Sequence, residues 1–209
     1  MDRRKLFAIL EEGGLKGSGP PSGTPSRSGL IYTDTSSGVR YLSRNVFNAT
    51  DSSVLALPTV SVVRSISIQF KSAEVIPAAL RQFHNAIGNP PTRCSFVRAA
   101  TTGFLTTGGL APSLITYDGA TITSGTVNPT ANVYHRVRLD YPSDGIVDRV
   151  FNFAYFGQIC NVQIGGVGGP LRSYSIDEGS GTNIIDSVSG QNGTLTIGSG
   201  SWQLDWVPL

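Results

Sequence analysis

Any catalysis by this chain has to come from a short inventory of reactive side chains. The glutamates are Glu11, Glu12, Glu74 and Glu178. Glycoside hydrolysis needs two carboxylates across the scissile bond, about 5 Å apart or somewhat wider. Asp177 and Glu178 are neighbours, and on a strand neighbouring side chains point to opposite faces, so they do not form such a pair. The two histidines, His84 and His135, have no GxSxG and no adjacent Ser or Cys motif, so no nucleophilic triad is spelled out. Together with Cys94 and Cys160 they show no zinc-ligand spacing. Gly165-Gly166-Val167-Gly168-Gly169 lacks the Lys-Ser/Thr of a phosphate loop and reads as a flexible loop. Asp140, Asp144 and Asp148, spaced by four in DYPSDGIVD, offer the oxygen ligands that calcium requires, without the spacing of an EF-hand. They are the candidate metal site.

These side chains must be positioned by strands. Ser61–Phe70 alternates with Ile66, Ile68 and Phe70 on one face and Ser65, Ser67 and Gln69 on the other, the pattern of a strand with one wet side. Val133–Tyr141 alternates likewise, placing His135, Val137, Leu139 and Tyr141 opposite Tyr134, Arg136, Arg138 and Asp140. His135 is therefore expected to be a half-buried, hydrogen-bonded histidine. Leu114–Tyr117 and Ala120–Ser124 flank Asp118-Gly119, a type I′ hairpin signature. Leu30–Tyr32 with Val39–Leu42, Cys94–Ala99, Phe104–Thr107, Asp148–Phe156 and Gln158–Ile164 supply further strands. Ala73–Ile87 alone breaks the pattern and reads as a short helix or loop.

The 209 residues include 25 Gly, with recurrent Ser, Thr and Val, as suits many short strands joined by tight turns. A net charge of +2 gives no argument for a nucleic-acid partner. No apolar run is long enough to span a bilayer and the N-terminus lacks a signal-peptide core, so a protein made and folded in a cytosol is expected. Cys94 and Cys160 read as buried thiols, with a disulfide between them left open.

At the N-terminus, Leu6, Phe7, Ile9 and Leu10 fall at helical spacing within Asp2–Glu12, and Gly13-Gly14 is a stop signal. A helix this short needs a surface to dock on. Residues 13–29 are Gly/Ser/Pro-rich and read as a linker or arm ordered by a neighbouring molecule. The chain thus divides into residues 1–60, a helix, arm and lead-in acting as an anchor, and residues 61–209, a β-sandwich.

The C-terminal third is the most specific. Gly157-Gln158-Ile159-Cys160-Asn161-Val162 leads to Tyr174-Ser175-Ile176-Asp177-Glu178-Gly179-Ser180-Gly181-Thr182, then Asp186-Ser187, Gly190-Gln191-Asn192-Gly193-Thr194-Leu195 and Trp202. This resembles the closing segment of laminin G-like, concanavalin A-like sandwiches, including those of tailed-bacteriophage virion proteins. The resemblance covers residues 150–206 well, and 60–150 by strand pattern only. It implies a mainly β, antiparallel jelly roll and a virion structural role, in capsid decoration, a tail or a fibre, with other virion proteins as partners. Repetition on a symmetric particle favours a homo-oligomer, a trimer first. Relatives of this fold often hold calcium near a sandwich edge. The superfamily's glucanase motif E-x-D-x-(x)-E is absent, so no enzyme is expected. Asp177, Glu178, Asp186 and the surrounding glycines read as fold-closing turns, with a ligand or calcium site as the alternative. A second role is adhesion to a host surface glycan through exposed aromatics, for which Tyr117, Tyr134, Tyr141 and Trp206 are the candidates.

Overall fold

The computed structural model describes residues 14–50, 53–72, 109–123, 130–150 and 157–209 with their side chains, and the backbone of three further strands. The strands are β1 (Leu15–Gly17), β2 (Ile31–Asp34), β3 (Arg40–Ala49), β4 (Val54–Ser72), β5 (Arg81–Asn85), β6 (Phe96–Ala99), β7 (Gly103–Leu105) and β8 (Leu114–Tyr117). They continue with β9 (Ala120–Ile122), β10 (Tyr134–Val150), β11 (Gly157–Gly166), β12 (Gly169–Tyr174), β13 (Asn183–Ile184), β14 (Gly193–Thr196) and β15 (Ser201–Pro208). Among the described residues there is no helix, and all fifteen strands join one sheet. β1 runs parallel to β2 while the other pairings are antiparallel, so the sheet is mixed.

Two long strands organise it. The second half of β4 lies between β10 and β11, with Phe70 opposite both His135 and Ile159. Its first half lies between the end of β10 and β14, with Leu55 opposite Val150 and Leu195. Between the halves the register slips: Asp140 faces Ser65 but Gly145 faces Val63, so β10 carries extra residues. Val62 takes φ 56 there, a backbone angle that a β-branched residue adopts only under constraint. Such bulges bend a strand. The inward alternation of both halves feeds one core, in which Phe47, Leu55, Ile66, Ile68, Phe70 and Tyr174 are fully buried.

Several expectations from sequence hold. Ile66, Ile68 and Phe70 are all buried, and Asp118 and Gly119 have φ 48 and 84, the two left-handed angles of a type I′ turn. Others need correction. Within Ala73–Ile87, Arg81–Asn85 is a strand, because its backbone pairs with β6 and β10, and such tertiary pairing overrides local helix preference. The glycine run 165–169 is no loose loop: Gly166 pairs with Gly169 across a two-residue turn between β11 and β12.

The arm from residue 14 is tied to the chain's own sheet by hydrogen bonds. Gly17 O accepts the Thr35 N–H at 2.8 Å, Gly19 N–H donates to Asp34 Oδ1 at 2.8 Å, and Tyr32 OH donates to Gly19 O at 3.1 Å. Further along, Ser43 Oγ donates to Arg27 O and accepts the Leu30 N–H. The Ser37 and Ser36 hydroxyls, with the Ser36 and Gly19 N–H groups, outweigh desolvation and hold the Asp34 carboxyl well below the usual carboxylate range. A division at residue 60 falls inside β4, and β2 and β3 pair into the same sheet. The helix expected over Asp2–Glu12, with Leu6, Phe7, Ile9 and Leu10, lies outside the described residues, as does Cys94. Cys160 is a free, buried thiol.

Candidate binding face

The antiparallel register stacks the side chains on the polar face of β11, β4 and β10 into rungs, of which Gln69 and Gln158 are buried. Gln158, Lys71 and Tyr134 form the first; Asn161, Gln69 and Arg136 the second; Gln163, Ser67 and Arg138 the third. Gly165, Ser65 and Asp140 form the fourth. On β4 and β10 successive rungs are two residues apart, roughly 7 Å, so the face is a polar lane roughly 20 Å long.

At the first rung lies a cavity of about 370 Å³, walled by Tyr41, Tyr134, Trp206 and Pro208 and bordered by Pro20 and Pro21 of the arm. Two of the four aromatics singled out from sequence, Tyr134 and Trp206, thus meet there. Lys71 and Asp205 form an ion pair on its wall, and the Lys71 ammonium also lies 4.8 Å from the centre of the Tyr134 ring. The Tyr134 hydroxyl reaches Gln158 Oε1 and, at 3.1 Å, Asp205 Oδ2. Tyr32 packs on both Tyr41 and Trp206, at ring separations of 6.2 and 6.0 Å. An aromatic wall beside paired donors and acceptors suits a small polar ligand with an apolar face. The internal pairing of Lys71 with Asp205 leaves this site with no net charge to offer.

At the far end, Ser65, Ser67, Gln163, Ser173 and Arg138 line an open groove of about 600 Å³. Arg138 is held there by Asp140, at 2.7 Å.

Other sequence candidates are not gathered. Tyr117 stacks on His135 at 5.0 Å, and Tyr141 is buried in the core. Asp140, Asp144 and Asp148 each face a different arginine, Arg138, Arg64 and Arg149. Among the described residues no three metal-ligating side chains cluster.

His135 is fully engaged. Its Nδ1 lies 2.6 Å from Asp118 Oδ2, and its Nε2 accepts the Thr130 N–H at 3.2 Å, which fixes the Nδ1-protonated tautomer. A backbone N–H therefore occupies the position that a nucleophile would take in a triad.

The closing segment spends its polar groups on backbone. Asp186 accepts N–H bonds from Ser173, Val188 and Ser189 at 2.9, 3.0 and 3.2 Å, and a bond from the Ser189 hydroxyl. Burial pushes its carboxyl up, but these bonds prevail and hold it below the usual range. Asn192 Oδ1 accepts the Asp186 N–H and Glu178 Oε1 the Ile185 N–H. Asp177 pairs with Arg44 at 3.1 Å.

Sequence reading missed Lys71, Asp205, Tyr41, Arg44 and Arg136. The alternation of Val133–Tyr141 placed Arg136 on the outer face, but only register shows what lies across from it.

No protein-family model, no curated protein and no solved structure matches the chain. Among the described residues no helix is long and apolar enough to cross a membrane.

Proposed function

We propose that this chain is a non-enzymatic structural protein of a tailed-bacteriophage virion, built on a concanavalin A-like β-sandwich and attached to the particle through the segment before residue 14. The observation that carries the reading is the closing segment from Gly157 to Trp202. Its text resembles that of such domains, and its carboxylates serve turns and an ion pair rather than an open site. The anchor is the apolar set Leu6, Phe7, Ile9 and Leu10; the partners are other virion proteins and further copies of this chain, with a trimer as the first expectation. The test is incorporation of the chain into capsids or tails of its source virus, with and without residues 1–13. Incorporation that depends on those residues supports the reading, whereas incorporation without them removes the anchor.

A second reading, adhesion to a host surface glycan, is favoured by one observation: Tyr134 and Trp206 converge on the net-neutral aromatic cavity. A sugar's apolar face can stack on the rings while its hydroxyls meet Lys71 and Asp205. Titration with host glycans, read by tryptophan fluorescence in the wild type and in Tyr134→Ala, tests it. A saturable change lost in the variant supports adhesion, and no change with any glycan removes it.

A further inference from the structure

The second rung carries a different chemistry from the first. A cavity of about 190 Å³ there is lined by Arg44, Gln69, Arg136, Asn161, Pro208 and the terminal Leu209, among others, and no Asp or Glu side chain belongs to its lining. Arg44 reaches in from β3, its Nη1 at 3.5 Å from Asn161 Oδ1. Its Nη2 is committed to Cys160 O, Ser175 O and the Asp177 carboxylate. Its Nε is buried without a hydrogen-bond partner, a cost that folded chains rarely leave unanswered. The two amides form a relay: Asn161 Nδ2 donates to Gln69 Oε1 at 2.5 Å, and Gln69 Nε2 donates to Pro208 O at 3.2 Å. Each amide nitrogen retains a second N–H.

Charge on this face is otherwise balanced. Lys71 has Asp205, Arg138 has Asp140 and Arg44 has Asp177. Among the described residues the Arg136 guanidinium has no carboxylate within ion-pair distance. It is exposed at the cavity mouth, opposite Gln69. We propose that this cavity is a binding site for a small oxyanion, a carboxylate or phosphate group, held by the Arg136 fork with the Gln69 and Asn161 amides beside it. A planar guanidinium suits either group bidentately, and the volume admits a group of a few heavy atoms. This inference stands apart from both readings of the overall function.

The test is a chemical-shift titration of the full chain with inorganic phosphate and, separately, with acetate, at constant ionic strength made up with chloride. The expected result is a saturable shift of the Gln69 and Asn161 side-chain amides. The affinity should fall roughly tenfold or more in Arg136→Gln and less in Arg136→Lys, because the lysine keeps charge but not the fork. Arg136 is exposed, so both variants should fold, and an unchanged melting temperature checks this. A response to phosphate alone assigns a phosphoryl group, a response to acetate alone assigns a carboxylate, and a response to both assigns either. Shifts that stay linear, or that are equal in Arg136→Gln, overturn the site.

Discussion

Replacing Asp186 by alanine removes the group that ties three backbone N–H donors and one hydroxyl in the closing turn. The Ser173 N–H sits on the half-buried strand β12, and a lost bond to a charged acceptor there costs about 1.5–3 kcal/mol. Val188 and Ser189 are exposed, so water replaces the carboxylate and each loss is about 0.5–1 kcal/mol. Arg172, whose Nε lies 3.6 Å from Asp186 Oδ2, loses its nearby counter-charge as well. The sum is about 2.5–5 kcal/mol, which for a chain of this size lowers the melting temperature by about 5–20 °C. Asn keeps the Oδ1 bonds to Ser173 and Val188 and should lose about half as much. The folded carboxyl lies below its unfolded value of about 3.9, so its stabilisation is present above that pH and is lost as pH falls beneath it. Thermal melts at pH 6 and pH 3 should therefore show the gap between wild type and Asp186→Asn narrowing in acid. A melting temperature for Asp186→Ala within about 2 °C of wild type at pH 6 would refute the reasoning.

Three further outcomes follow from the same structure. Phe47→Ala empties a fully buried site where the ring meets Trp202 at 5.4 Å, and should cost about 3–5 kcal/mol in urea unfolding. Gly179→Ala places a methyl 2.5 Å from Asn45 Nδ2 at φ +78 and should destabilise more than Gly181→Ala, where φ is +75 but space is open, as paired melts will show. Burial pushes the Cys160 thiol up to about 12, so in a Cys94→Ser background it should resist a thiol reagent at pH 8 until urea opens the fold. That shift also means the buried neutral thiol loses its contribution as pH climbs from about 8.5 towards the folded value. Rapid labelling of the folded protein would contradict the burial.

What could be read in advance was whatever depends on a single strand or turn. The alternation around Ile66, Ile68 and Phe70, the Asp118-Gly119 turn and the turn role of Asp186 are local consequences of period-two burial and of side chains that bond their own backbone. What escaped reading depends on register between distant strands. Nothing in residues 60–80 says that Lys71 will face Tyr134 on one side and Gln158 on the other, or that Asp205 will close the group. The arm's Gly/Ser/Pro composition suggested dependence on a neighbour, yet Asp34, Tyr32, Thr35 and Ser43 tie its backbone to its own sheet. Composition reports how little apolar area a segment can bury, not how many hydrogen bonds the rest of the chain offers it. The four-residue spacing of Asp140, Asp144 and Asp148 suggests a shared ion, whereas the fold sets each carboxylate beside its own arginine.

The most direct measurement of the proposed virion role is a particle-incorporation and pull-down assay of the full chain and of a chain lacking residues 1–13, against capsids and tails of the virus that role implies. The cut at residue 13 leaves β1 and the Pro20-Pro21 border in place. The account predicts that the full chain incorporates and that the shortened chain, still folded by its melting curve, does not. Failure of the full chain to join any particle, or incorporation of the shortened chain at the same level, would contradict it.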